Sequence, residues 1–136
     1  MQLSEDYIAG LIDGEGSFTV YLRKGRYKKV ECHFYVKLVK DELPLLRKLQ
    51  WSLKCGRIYL QKDTRKNHSD CYRFEVGNLK DLREKIIPLL KNRLQSEKRK
   101  KDFRIFCKIV KMVSEKKHLT PEGWEKIQKL KSQMHR

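Results

Sequence analysis

Residues 7–16 read Tyr-Ile-Ala-Gly-Leu-Ile-Asp-Gly-Glu-Gly, and this stretch decides the fold that we predict for the chain. It begins as an apolar helix and ends in two carboxylates set between glycines. Glycine loses more backbone freedom than any other residue inside a helix or strand, and Asp favours termini and turns. The pattern therefore predicts a helix that is capped by Ser4 and ends near Gly14, with two acids at its exit.

The charge of the chain favours a polyanionic partner. Its 136 residues contain 33 Lys and Arg against 17 Asp and Glu, which gives a net charge of +16. The first 22 residues nevertheless contain four acids and no Lys or Arg. This local negative charge in a basic protein is where a cation could bind. A ribosomal-type protein or an ordinary basic surface is the alternative interpretation.

Composition predicts one domain over residues 1–136, with a core at about 4–115 and a C-terminal helix at about 120–134. An apolar fraction of 39% argues against disorder. The chain shows neither a run long enough to span a membrane nor a signal-peptide pattern, so we expect an intracellular protein, cytoplasmic or organellar. The four cysteines lack C-x-x-C spacing and are expected to be free thiols.

Hydrophobic periodicity predicts an α+β fold. Alternation with period two indicates four strands, which the sequence places at about 16–23, 29–38, 57–62 and 71–76. Helical spacing follows each pair, from Asp41 to Gly56 and from Asn78 to Pro88, where proline bends or ends the helix. A polar loop covers residues 63–70, and a basic block at 98–101 leads into further helices. The predicted order is αββαββα with additional C-terminal helices, as a four-stranded antiparallel sheet backed by helices.

The sheet face opposite the helices is predicted to contact DNA. Its side chains mix cations, hydrogen-bonding groups and aromatics, which suits reading base edges while phosphates are neutralised. They are Ser17, Thr19, Tyr21, Arg23, Lys29, Glu31, His33, Tyr35, Lys37, Arg57, Tyr59, Gln61, Arg73 and Glu75. Any exposed sheet face is polar, so a surface without a ligand is the alternative; the net charge favours DNA.

Glu15 is the candidate metal ligand. Hydrolysis of a phosphodiester is assisted by a divalent cation. Mg²⁺ takes few protein ligands because it keeps several waters. One carboxylate and a nearby backbone carbonyl at a tight helix-to-strand turn meet that need. Asp13 is expected to hydrogen-bond neighbouring backbone instead, although a catalytic role is the alternative.

Residues 8–16 resemble the LAGLIDADG motif of the homing endonucleases. Six of the nine positions are identical, and Ile8, Gly14 and Glu15 replace Leu, Ala and Asp. The αββαββα order and the later helices extend the resemblance over nearly the whole chain. It implies a saddle-shaped sheet over the major groove. It also implies metal-dependent, site-specific cleavage of both DNA strands that leaves 3′ overhangs.

The resemblance also implies roles by position. Glu15 would be the metal-binding acid and the Gly14 carbonyl a further ligand, with Mg²⁺ expected, Mn²⁺ able to substitute, and Ca²⁺ binding without cleavage. One motif copy implies a homodimer on a near-palindromic target, and the small residues at 9, 10 and 14 would let two helices meet. The positions that would support the motif and the dimer interface are Ile8, Ala9, Gly10, Leu11 and Asp13.

At two positions the match to the family pattern is incomplete or ambiguous. At the end of the second strand the family often has a polar residue, frequently Gln; Leu38 is the nearest position here, so Lys37 or Lys40 replaces it or nothing does. The basic catalytic residue before the fourth main helix matches Lys98 or Arg99. The same fold would also serve two other functions: an RNA maturase that assists splicing of its host intron, or a cleavage-dead DNA-binding regulator.

Overall fold

Ser4 starts the helix that carries the motif. In the computed structural model, which describes residues 2–65 and 68–136, helix α1 runs over Glu5–Glu15 and the Ser4 hydroxyl accepts a hydrogen bond from the Tyr7 N–H. The helix ends one residue beyond the predicted Gly14. Strand β1 begins at Gly16, where an added Cβ would lie 2.6 Å from Ile12 Cγ2. Glycine therefore permits the direct turn from helix to strand.

The four strands form one antiparallel sheet in the order β1-β2-β4-β3. Their bounds are Gly16–Lys24 (β1), Lys28–Val39 (β2), Arg57–Gln61 (β3) and Cys71–Val76 (β4). β-Branched and aromatic residues alternate with polar ones along β1 and β2, so one face of each strand is buried. The predicted loop at 63–70 includes residues 66 and 67, which lie outside the described residues.

Helix α2 (Leu43–Leu53) follows β2 after a 3₁₀ turn at Lys40–Glu42. Its apolar stripe of Leu46, Leu49 and Leu53 is buried. The chain leaves α2 through Lys54 in the left-handed conformation and then Gly56, whose φ is 86°. A Cβ at Gly56 would approach the Phe74 ring to 2.5 Å, so both backbone conformation and packing require glycine there.

A continuous helical segment follows β4, and its N-terminus is capped by the Asn78 side chain. It comprises α3 (Leu79–Asp81), a π-helical turn (Leu82–Ile86) and α4 (Ile87–Leu90). The π turn lies just before Pro88, which lacks an N–H, and within it the Ile87 N–H donates to the Leu82 carbonyl. The helix therefore does not end at Pro88, as one of the two predicted outcomes had it, because it continues to Leu90.

Two further helices complete the chain, α5 (Glu97–Ser114) and α6 (Pro121–Ser132), capped by Ser96 and Thr120. The basic block at 98–101 lies inside the first turns of α5, not ahead of the helix as predicted, because Ser96 starts the helix before it. None of the helices in the described part of the chain has the length and apolarity that a membrane crossing needs.

The core lies between the sheet and the helices. The Phe18 ring of β1 packs against Phe34, Phe103 and Phe106 with centroid separations of 5.1–5.6 Å, which joins α5 to the sheet. Leu60 alternates with the outer-face residues of β3, which predicts the apolar face for it, yet it is 43% exposed because β3 is an edge strand. The predicted α+β architecture, with its αββαββα order and later helices, is confirmed.

Candidate active site and nucleic-acid interface

The motif helix has one buried and one open face. Ile8 and Ala9 are only 2% and 3% exposed and belong to the core of their own chain, and Leu11 packs partly against it. Gly10 and Gly14 are exposed, and among the described residues nothing outside the helix's own backbone lies within 4 Å of a Cβ added at either position. Ala9 was predicted to line a contact stripe with the glycines, but it is buried in its own chain; of the three small residues, only Gly10 and Gly14 are exposed.

Asp13 ties the motif helix to the start of α5. Its Oδ2 accepts a 2.9 Å hydrogen bond from the Gln95 N–H, and its Oδ1 accepts a 3.0 Å bond from the Ser96 N–H. These backbone groups precede α5, so the Asp13 carboxylate fixes the position of that helix relative to the motif. Asp13 was expected to hydrogen-bond neighbouring backbone; it does bond backbone, but at residues 82 and 83 positions further along the chain.

Arg99 lies at the end of the motif, and Lys98 does not reach it. The Arg99 Nη2 atom is 3.5 Å from the Gly14 carbonyl oxygen, while the Lys98 side chain is exposed. The Arg99 Nε atom is buried and has no acceptor among the described atoms. Asp13 holds Ser96 at the start of α5, and Arg99 follows Ser96 by one helical turn. This brings the Arg99 side chain to the end of the motif. Of the two basic candidates, Arg99 is therefore the one that the fold brings to the motif.

Glu15 offers a free carboxylate. It is exposed in the last turn of α1 and makes no hydrogen bond or ion pair with the described side chains. Within residues 2–65 and 68–136, no three His, Cys, Asp or Glu side chains gather into a metal-binding group. One carboxylate with the adjacent Gly14 carbonyl still suits Mg²⁺, which prefers oxygen ligands and uses few from the protein. The residues present therefore fit a divalent cation shared with a substrate.

The predicted DNA-contacting residues lie together on the sheet face turned away from the helices, called here the outer sheet face. The strand register confirms their shared side, since Tyr35 lies opposite Glu75 and Tyr59 opposite Arg73. Five of them are exposed, namely Tyr21, Arg23, Lys29, Lys37 and Arg57. Eight are half-buried, namely Ser17, Thr19, Glu31, His33, Tyr35, Tyr59, Gln61 and Arg73.

The two acids of the outer sheet face are engaged within the protein. Glu31 pairs with Arg23 at 2.6 Å and Lys29 at 3.4 Å, and the hydrogen bond from Arg23 lowers the pKa of the Glu31 carboxyl. Glu75 is 8% exposed and is surrounded by donors of the same face. The expectation that Glu75 contacts DNA is therefore corrected: its burial and its partners remove it from the surface.

Leu38 is on the wrong face to contact a substrate. It continues the buried series of β2 and packs against the core. Gly16 pairs with Val36, so Lys37 is at the end of the outer sheet face that adjoins the motif helix. Lys40 lies in the following 3₁₀ turn, with its N–H bonded to the Asp70 carbonyl. Of Lys37 and Lys40, Lys37 is therefore the better placed to take the position of the polar residue that the family often has at the end of the second strand.

The sequence matches the family described as "LAGLIDADG endonuclease" over residues 8–110. The chain belongs to the LAGLIDADG endonuclease family. It is 33% identical over 132 residues to "Probable intron-encoded endonuclease 3" of Neurospora crassa, a match over 93% of this chain and 24% of the relative. It is 36% identical over 90 residues to "Probable intron-encoded DNA endonuclease 1" of Mycosarcoma maydis, over 65% of this chain and 31% of the relative. This LAGLIDADG chain thus spans about a quarter to a third of those relatives.

Solved structures of homing endonucleases share the fold. I-TnaI superposes with a TM-score of 0.86 at 30% identity, over 100% of this chain and 90% of that one. I-SmaMI, solved on uncleaveable DNA, superposes with a TM-score of 0.86 at 30% identity, over 98% of this chain and 45% of that one. I-SmaMI has also been solved on its uncleaved DNA target in the presence of calcium ions. Members of the LAGLIDADG family depend on divalent metal.

Proposed function

We propose that this LAGLIDADG chain is a site-specific homing endonuclease that hydrolyses both strands of a long, near-palindromic DNA target and leaves 3′ overhangs. The observation that carries the proposal is the free Glu15 carboxylate beside the Gly14 carbonyl and Arg99, at one end of the basic outer sheet face. Mg²⁺ is the proposed metal, with Mn²⁺ able to replace it and Ca²⁺ able to bind without supporting cleavage.

Each residue near the motif end has a separate part. Glu15 and the Gly14 carbonyl would hold the metal, which when bound stabilises the charge that develops on the phosphate and the leaving oxygen. Arg99 would position the scissile phosphate through its guanidinium donors and balance its charge. Lys37 would lie where it can orient the attacking water or a phosphate oxygen. Asp13 would act through its hydrogen bonds to Gln95 and Ser96 and would not touch the substrate.

Binding would use the outer sheet face in the major groove. Arg23, Lys29, Lys37 and Arg57 are exposed and can neutralise phosphates, while the half-buried polar residues between them can meet base edges. This division predicts affinity that falls steeply with salt and a sequence preference that does not.

Cutting both strands would need a second motif, because each chain supplies one Glu15. We propose that a second copy of this chain supplies it, with two α1 helices meeting at Gly10 and Gly14, where a Cβ added at either glycine would meet open space among the described residues. The same face carries the half-exposed Tyr7, whose ring a partner would cover. Small residues allow two helix backbones to approach closely.

The gene is proposed to lie in an intron, as the names of the curated relatives state for those proteins. The enzyme would work inside the cell, where such DNA resides. An additional role for intron RNA, as a maturase, would be separable, because RNA binding has no need of the Glu15 carboxylate. Splicing that Glu15→Gln retains would reveal that role.

The proposal is tested by selection from a library of DNA duplexes. Wild-type protein is incubated with the library and Mg²⁺, and in parallel with Ca²⁺, and cut and bound molecules are sequenced separately. We expect one related set of targets to be cut on both strands in Mg²⁺ and bound but uncut in Ca²⁺. Specific binding with no cutting in Mg²⁺ or Mn²⁺ would instead make the chain a DNA-binding regulator.

A further inference from the structure

Glu75 is a buried acid in the middle of the basic outer sheet face. It is 8% exposed, whereas Arg57, its partner in the β3–β4 register, has a side chain that is 78% exposed. A buried carboxylate is costly unless it is paired and hydrogen-bonded. On a face that binds a polyanion, an unpaired acid would also repel phosphates. The contacts of Glu75 explain how its burial and its repulsion of phosphates are offset.

Each oxygen of the Glu75 carboxylate has one hydrogen-bond donor and one further nitrogen nearby. Oε1 accepts a 3.0 Å hydrogen bond from Arg73 Nη2 and lies 3.3 Å from His33 Nδ1. Oε2 accepts a 3.3 Å hydrogen bond from the Tyr59 hydroxyl and lies 3.7 Å from Arg57 Nη2. A carboxylate has about four acceptor sites. Only Arg73 and Tyr59 donate hydrogen bonds to that of Glu75, since His33 Nδ1 has no hydrogen-bond partner among the described atoms and Arg57 lies at ion-pair distance. Glu75 is nevertheless only 8% exposed, so its contacts are with neighbours on the same face.

The four neighbours come from three different strands. His33 belongs to β2, Arg57 and Tyr59 to β3, and Arg73 to β4. Aromatic contacts restrain two of them further, since the Arg73 guanidinium lies 3.5 Å above the Tyr35 ring and that of Arg57 lies 5.6 Å from the Tyr59 ring centroid. Burial raises the pKa of the Tyr59 phenol, which therefore remains a neutral donor. The cluster is organised before any DNA binds.

We propose that Glu75 is a positioning residue for sequence recognition: it holds His33, Arg57, Tyr59 and Arg73 in the arrangement that reads one block of base pairs, and does not itself contact DNA. The inference rests on the proposed function, because it supposes that the outer sheet face reads DNA. Side chains fixed before binding lose less conformational freedom on binding. Removing this acid makes the outer sheet face more positive, which should strengthen binding to any DNA. It also frees the four side chains, which should weaken discrimination between sequences, so the two effects can be told apart.

The test compares Glu75→Gln with Glu84→Gln. Glu84 is exposed on the helix layer and makes no ion pair or hydrogen bond with the described side chains, so its variant matches the change in charge. Binding is measured in Ca²⁺ to the selected target, to a panel with each base pair changed in turn, and to random-sequence duplex. We expect Glu75→Gln to bind random duplex at least as tightly as Glu84→Gln does. Its discrimination should fall about tenfold at a contiguous block of base pairs and stay unchanged elsewhere.

Three results would overturn the inference while the wild type still discriminates. The first is an unchanged preference profile. The second is a loss confined to one position that prefers cytosine, which would make Glu75 a direct reader of a base. The third is weaker binding to every duplex, including random sequence, together with a lower melting temperature, which would make its role only structural. A wild type that discriminates no sequence would instead refute the proposed function.

A second variant covers the case in which Glu75→Gln does not fold. Tyr59→Phe removes only the hydroxyl group that donates to Glu75 and leaves the ring in place. We expect it to weaken discrimination within the same block of base pairs without lowering affinity for random duplex. A Tyr59→Phe protein with the full wild-type profile would contradict the inference.

Discussion

Asp13 and Ser96 are 83 positions apart in the sequence, yet the Asp13 carboxylate accepts a 3.0 Å hydrogen bond from the Ser96 backbone N–H. Through this contact the first acid of the motif determines where α5 begins, and α5 in turn delivers Arg99 to the Gly14 carbonyl. The two acids of the motif therefore differ: Asp13 is engaged by backbone donors, whereas the Glu15 carboxylate is free for the metal-binding role proposed above. Each half of this division can be measured.

Replacing Asp13 should cost stability. Asp13→Ala leaves the N–H groups of Gln95 and Ser96 without their acceptor, a loss of about 2 kcal/mol in the free energy of unfolding. Asp13→Asn keeps one acceptor oxygen and should lose less. Urea unfolding measures both, with Ser4→Ala, which removes the cap of α1, as a reference of about 1 kcal/mol. An Asp13→Ala protein as stable as wild type would remove Asp13 from the support role.

Arg99 and Lys98 should differ sharply although they are neighbours. Arg99→Ala removes the guanidinium at the motif end, and we expect cleavage at saturating DNA to fall by about 100-fold. Lys98→Ala removes an exposed charge, so it should lower affinity mainly at low salt, make affinity less dependent on salt, and change the cleavage rate by less than about threefold. Single-turnover cleavage kinetics separate the two effects. Equal losses of rate in both variants would show that the register of the basic block is wrong.

Gly10→Leu should stabilise the chain and break its assembly. The space around Gly10 is open within one chain, and leucine favours a helix over glycine by roughly 0.5–1 kcal/mol. The leucine side chain would, however, hold two α1 helices apart. Light scattering after size exclusion should give a dimer for wild type and a monomer for Gly10→Leu.

The matched control for Gly10→Leu is Gly25→Leu. Gly25 also has open space around it but lies in the bend between β1 and β2, so this variant should remain dimeric. A Gly10→Leu protein that still dimerises would place the interface on another surface. A wild type that is monomeric at all concentrations would contradict assembly of two separate chains.

Two thiols should resist modification at mild pH. Burial raises the pKa of Cys32 and of Cys107 from 9.0 to about 12, so at pH 8 both stay protonated in the folded protein. A thiol reagent should therefore leave them unmodified in buffer and label all four cysteines in urea. Rapid labelling of Cys32 in the native protein would contradict the burial.

The same shifts predict alkaline destabilisation. A thiol with a raised pKa in the folded state holds its proton more tightly there than in the unfolded chain. Its contribution to stability is complete below the ordinary thiol pKa of 9.0 and is lost as the pH rises toward 12. The free energy of unfolding should accordingly be lower at pH 10.5 than at pH 7.5. Cys32→Ser and Cys107→Ser together should reduce that difference.

Local patterns predicted the elements, but contacts between distant residues decided the site. The alternation along β1 and β2 and the cap at Ser4 were predicted from the sequence, since each depends on neighbours in sequence. The choice of Arg99 over Lys98 was not, because it depends on a hydrogen bond across 83 positions.

The inward direction of Ala9 and the exposure of Leu60 could not be predicted from the sequence, because both depend on how the elements pack together. Helical spacing does not say which face of α1 meets the core, and an alternating pattern does not say that β3 is an edge strand. The acid at position 75 looked like any polar residue of an exposed face. A buried carboxylate among Arg and Tyr donors could have been suspected only from the cross-strand register.

Under the proposed function, Glu15 provides the metal-dependent cut, and each copy of the motif cuts one strand. The most direct measurement is cleavage of the selected target in Mg²⁺ by wild type, by Glu15→Gln and by an equal mixture of the two after joint refolding, read on native and denaturing gels. Wild type should break both strands, Glu15→Gln neither, and the mixture should accumulate single-strand nicks. Double-strand cleavage by Glu15→Gln at the wild-type rate would contradict the account.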